Sequence, residues 1–114
     1  MPEITTEYIN EQLAKGKQYT LVIKKTGPKR DQPEHEVEEI QLAHQKHLFT
    51  LREDGMLLLN GPLLDHPEIK SIGIYNSTDK QKVFELASQD PAVLAGRLAV
   101  EVYEWFGIPG ATLV

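Results

Sequence analysis

Apolar positions recur along this chain in two alternating periods. Val37, Ile40, His44, His47, Leu48 and Leu51 fall at spacings of three and four, so a helix over about 36–53 would carry them on one face, with Gly55 as its stop. Tyr19 to Lys24 and Ser71 to Tyr75 are rich in β-branched and aromatic residues, and Leu98 to Tyr103 alternates; each predicts a strand. Met56 to Leu59 is a short, wholly apolar strand, which predicts burial on both faces, and Gly61-Pro62 turns the chain after it. Before the first strand, Ile4, Tyr8, Ile9 and Leu13 give a loose stripe over a short helix of residues 4–15, capped by Thr5 or Thr6 and ended by Gly16. Thr78 with Gln81 reads as a capping box opening a helix through Val83, Leu86 and Ala87; Asp90-Pro91 interrupts it and opens a further turn to Gly96.

Without the first helix the order is β-α-β-β-α-β. That is the ferredoxin-like arrangement of the α+β class: a four-stranded antiparallel sheet with both helices on one face. Residues 1–17 then form an N-terminal helical extension and 18–114 the domain. The polar loop 28–36 is expected to be the most mobile internal segment. The sheet's second face is too apolar to stay wet, with leucines on both sides of the second strand and Tyr103, Trp105 and Phe106 along and beyond the last. An uncovered apolar face predicts a partner, and a second copy of the chain packed sheet to sheet is the expected one.

Composition narrows the chemistry. With 114 residues the chain fits one domain with a real core. Twelve basic against seventeen acidic side chains give −5, which argues against nucleic acid or an anionic membrane as partner. The absence of cysteine excludes disulfides, thiol catalysis and cysteine-rich zinc sites. No stretch has the length and apolarity of a membrane span, and Met1-Pro2-Glu3-Ile4 lacks a signal-like organisation, so the expected location is cytoplasmic. No Gly-rich loop leads into a helix, and no third ligand stands at a telling distance from His44 and His47. No cofactor or metal is therefore expected.

Two imidazoles remain on a helical face that should be apolar. A buried histidine needs a partner, and a carboxylate supplied from elsewhere is the economical one. Held on one ring nitrogen, such an imidazole is oriented and free to move a proton at the other. The plain alternative for His44 is a core histidine bridging helix and sheet, and for Asp90 a helix cap. His47 reads as a helix-flank or interface residue.

Three pieces of the chain resemble the YCII-related family of dimeric α+β barrels. These are His44, Gly55, Leu57 to Leu59 and Gly61-Pro62; Ile72-Gly73-Ile74; and Ala87, Asp90, Pro91 and Gly96. The resemblance implies that His44 and Asp90 form a His–Asp dyad facing a cleft between sheet and helices. It also implies cofactor-independent proton transfer on a small organic molecule, of isomerase, lyase or dehalogenase type. Relatives include a dehydrochlorinase acting on a chlorinated hydroxyhydroquinone. Gly61, Pro62 and Trp105 are the candidates for lining a substrate site, against plainer readings as a turn and as packing. The competing reading is a non-catalytic dimeric module that binds a small ligand or another protein.

Overall fold

The computed structural model describes residues 3–110 and 113. Its elements are α1 (Thr6–Ala14), β1 (Lys17–Thr26), α2 (Glu34–Glu53), β2 (Leu57–Pro62), β3 (Ile69–Tyr75), α3 (Lys80–Ser88), α4 (Pro91–Leu94) and β4 (Leu98–Gly107). The strands form one sheet in the order β2-β3-β1-β4, every neighbouring pair antiparallel. This is the expected α+β, ferredoxin-like architecture, with α1 preceding it.

Helix ends follow local chemistry. Thr5 caps α1 by accepting from the Tyr8 amide at 3.1 Å. Gly55 ends α2 at φ +76°, a left-handed conformation that glycine adopts without strain. The cap of α3 differs from expectation: Asp79, not Thr78, accepts from the Lys82 amide at 3.1 Å. A carboxylate one residue later competes successfully for the same orphan amides. The loop expected to be mobile is fastened to the end of α4. Gln32 donates to the Ala95 carbonyl at 2.9 Å and accepts from Arg97 at 2.8 Å, and the Lys29 amide reaches the Gly96 carbonyl.

The sheet has two unlike faces. On the side covered by α2 and α3 lie Thr20, Val22 and Lys24 of β1, with Val100 and Val102 of β4. The core there is Val22, Leu51, Leu57, Tyr75, Val83 and Ala87. On the other side Leu21 pairs with Ile74, Ile23 with Ile72 and Tyr19 with Trp105. That face is uncovered in the chain, leaving Ile72, Tyr103 and Trp105 about two-fifths exposed.

The second strand departs from its expected burial. Leu57 is buried, but Leu58 and Leu59 are exposed. The β2–β3 register shifts between Leu57 and Leu59, so Leu57 opposes Tyr75 while Leu59 opposes Ile74. A bulge of this kind changes strand parity and turns the two leucines to opposite faces. Helix α1 buries none of its residues, and Ile4, Tyr8, Ile9 and Leu13 are all exposed.

Candidate functional site

Asp90 is the centre of the site. It is the N-cap of α4, just after Gln89 has closed α3, and Pro91 follows at the first position of α4, where its missing N–H removes nothing the helix needs. Its side chain is fully buried and its two oxygens do separate work. Oδ1 accepts from the Ala92 amide at 2.9 Å, capping α4. Oδ2 lies 2.6 Å from His44 Nδ1 and accepts from Lys24 Nζ at 2.7 Å. Three elements meet here: α2 delivers His44, the α3–α4 turn Asp90, and β1 Lys24.

Periodicity places His44 correctly. Val37, Ile40, His44, His47, Leu48 and Leu51 all turn towards the fold, and Leu51 is buried. The His44 side chain keeps 14% of its surface, whereas those of Asp90 and Lys24 keep 0% and 3%. Burial pushes the Asp90 carboxyl up. The hydrogen bonds from His44 and Lys24, the Lys24 charge and the Ala92 amide outweigh burial and bring it down to about 2. Ionised, Asp90 can only accept. His44 Nδ1 therefore carries the hydrogen, and the neutral ring has its lone pair on Nε2.

Two further polar groups line the same interior. Tyr75 is 1% exposed, and its hydroxyl, without a hydrogen-bond partner, is raised to about 12 by burial first and then by the Asp90 charge. Beside it, Gly73 stands where a side chain would be tight: a Cβ there would meet Leu57 and Asn60 at 3.3 Å, with the Tyr75 ring in ordinary contact at 3.5 Å. His47 does not pair with His44. Its Nε2 is buried without a hydrogen bond. Burial lowers its imidazole below the ordinary value, Lys24 and His44 adding to that and Asp90 and the Leu86 carbonyl opposing it.

A group whose folded-state value is depressed in this way favours its neutral form. The stability His47 contributes is complete above its unfolded value, near 6.5, and is lost as pH falls through that value towards the folded one. Urea unfolding at about pH 7.5 and about pH 5.5 is expected to show that loss in the wild type and to show less of it in His47→Leu. An equal acid loss in both proteins would assign it to another group.

The other candidates lie elsewhere. Trp105 is on the uncovered face, its ring 5.9 Å from that of Tyr19, because β4 turns Tyr103 and Trp105 away from the side that holds Val100 and Val102. Gly61 and Pro62 end the edge strand β2, opposite Ile72 and Ser71. They border a hollow of about 210 Å³ with Leu59, Ile72 and Ile74. The whole of β3 separates them from β1 and Lys24. The structure thus joins His44 to Asp90 and brings none of Gly61, Pro62 and Trp105 to that pair. His66, another of the chain's histidines, does a turn's work: its Nδ1 accepts from the Glu68 and Ile69 amides.

Lys24 is the residue that sequence reasoning missed. Tyr19 to Lys25 alternates into two faces of similar apolarity, so parity alone did not say which was inside. A lysine beside another lysine at a strand end carries no mark of burial in its sequence. The available signal was its register with Val22 and Thr20, residues that cannot face the core without bringing Lys24 along.

The chain is thus an antiparallel α+β sheet beside which a buried carboxylate bonds a partly exposed imidazole. The YCII-related domain matches residues 11–106, and the chain belongs to that family. Among solved structures it is similar to the 5-chloro-2-hydroxyhydroquinone dehydrochlorinase TftG from Burkholderia phenoliruptrix AC1100, in complex with 2,5-dihydroxybenzoquinone. The TM-score is 0.55 and the identity 20%, over 75% of this chain and 92% of that one. That likeness extends to the fold. No curated protein sequence matches the chain. Among the described residues, no helix is long and apolar enough to cross a membrane.

Proposed function

We propose that this protein is a small-molecule enzyme in which His44, held by Asp90, moves a proton on an organic substrate with an acidic C–H or O–H bond. The observation that carries the reading is the 2.6 Å contact between His44 Nδ1 and Asp90 Oδ2, made while Oδ1 caps α4 independently. The imidazole is thereby oriented without unmaking the cap. In the forward step Nε2 takes the substrate proton. The electron pair left behind either expels a leaving group with its bonding electrons or moves into an enolate, which is reprotonated at another atom. Elimination and isomerisation share this first step, and neither needs a cofactor. The solved relative's dehydrochlorinase chemistry belongs to the same kind, which makes small hydroxylated aromatics and quinones the first compounds to test.

The reading includes a homodimer. Ile72, Ile74, Leu21, Ile23, Tyr103 and Trp105 form an uncovered apolar sheet face. In this reading Trp105 belongs to the contact between copies, with Gly61 and Pro62 at its edge. The mass in solution is expected to be twice that of the chain, and Ile72→Asp to bring it towards one chain. A wild-type monomer at micromolar concentration would remove the dimer from the proposal.

The activity is tested by following solvent deuterium incorporation and leaving-group release over a panel of small phenols, hydroxyquinones and their chlorinated forms. Turnover in the wild type that is lost in His44→Ala supports the enzyme. A ligand that binds equally to both proteins, with no exchange in either, favours the binding module.

A further inference from the structure

We infer that Lys24 is a positioning residue of this site, which shares one oxygen of Asp90 with His44 and so tempers the basicity of the imidazole. The inference deepens the proton-transfer reading and rests on it for its catalytic meaning.

The geometry is restrictive. Of the three groups gathered at the Asp90 carboxylate, the Ala92 amide has Oδ1, while His44 Nδ1 and Lys24 Nζ converge on Oδ2 at 2.6 and 2.7 Å. Lys24 is 2% exposed and Asp90 fully buried, so solvent does little to screen one charge from the other. With a neutral imidazole the three side chains sum to zero charge. With an imidazolium they sum to +1, and the two cations donate to the same atom. Asp90 alone would favour the imidazolium; Lys24 opposes it. On the shared oxygen, Lys24 thus offsets part of the attraction that Asp90 would otherwise exert on a proton at Nε2. When His44 has taken a substrate proton, the extra positive charge stands beside the substrate anion and stabilises it.

Other groups facing this site do not replace Lys24. From β3, the Tyr75 hydroxyl titrates far above neutrality. On the same helix, His47 lies within electrostatic reach of Asp90, Lys24 and His44, but its imidazole makes no hydrogen bond at Nε2. Neither can place a permanent cation on Oδ2. Lysine on a strand suits that role, since β1 is held on both sides by β3 and β4 and fixes the height from which the ammonium reaches Asp90.

The test is a proton NMR titration of the His44 ring from roughly pH 4 to 9. It compares wild type, Lys24→Met, Lys24→Gln and Lys24→Arg, with His44→Gln identifying the resonance. Removing the cation in Lys24→Met or Lys24→Gln is expected to raise the His44 midpoint by about one pH unit or more, while Lys24→Arg stays close to wild type. The acid limb of kcat/KM moves by the same amount in the same variants. If Lys24→Met does not fold, Lys24→Gln keeps a hydrogen-bond donor without the charge and gives the same reading. A midpoint that stays at the wild-type value in a folded neutral variant, whatever its melting temperature, overturns the inference. The titration needs no substrate: a shifted midpoint without turnover on any compound would leave Lys24 in place and count against the enzyme.

Discussion

Asp90→Ala is expected to destabilise the folded protein by about 3–5 kcal/mol, the largest stability loss among single substitutions at the site. Most of that comes from Lys24. The ammonium is as deeply buried as the carboxylate it bonds, and with the carboxylate gone it is left without its ion-pair partner in the core. The cap of α4 adds about 1 kcal/mol, because the Ala92 amide loses its acceptor at the start of a one-turn helix. The size of the loss therefore does not measure what the ion pair adds. A double variant, Lys24→Met with Asp90→Leu, removes both charges. It is expected to recover most of the stability, leaving the cap of α4 and the His44 Nδ1 bond unmade.

The pH dependence separates these contributions further. The Asp90 carboxyl, about 2 in the folded protein, lies below its ordinary value of 3.8, so ionised Asp90 stabilises the fold. That contribution, about 2 kcal/mol, is complete above about pH 4 and disappears as pH falls to about 2. Chemical unfolding at neutral pH and at about pH 3 checks both points. A single variant within about 1 kcal/mol of wild type at pH 7, or a double variant no better than the single, would mean that the Lys24–Asp90 pair is not the buried pair described here.

Much of the architecture was legible in the sequence because it depends on periods. The 3.6-residue stripe of α2 named the residues that turn inward, including both histidines, and Gly55 and Gly16 marked real helix ends. What was missed depends on pairing. The bulge at Leu58 arises from how β2 aligns with β3, and nothing within Met56 to Leu59 records that alignment. The choice of Asp79 over Thr78 as cap is a competition between neighbouring acceptors that spacing alone does not rank. Lys24 is the instructive case. Its role follows from Asp90 being 66 residues away in sequence and 2.7 Å away in space, a juxtaposition that strand parity permits but does not announce. His44 and Asp90 were named together through the family resemblance; periodicity supplied only the half of the pair that lies on a helix.

His44 provides the second large effect, and it is cleaner than Asp90 because it parts rate from stability. Its side chain is partly exposed and is neither a helix cap nor the counterion that keeps Lys24 paired. In His44→Ala, Asp90 retains its bonds to Lys24 and Ala92, so the fold should lose no more than roughly 1–2 kcal/mol, the cost of one partly buried hydrogen bond to a charged group. Loss of the base at Nε2, in contrast, should lower turnover by roughly 10² to 10⁴. His44→Gln sharpens the comparison. Its amide can still donate to Asp90 Oδ2 but offers no group that accepts a proton near neutral pH, so it should fall as far in rate as alanine while remaining nearer to wild type in stability. Stopped-assay rates on a substrate from the phenol and quinone panel, set beside unfolding curves of the same preparations, give both quantities. If His44→Gln turns over at the wild-type rate, the imidazole is a structural bridge between helix and carboxylate and the proton carrier lies elsewhere. If rate and stability fall together in the two variants, the contact with Asp90 serves the fold before it serves the chemistry.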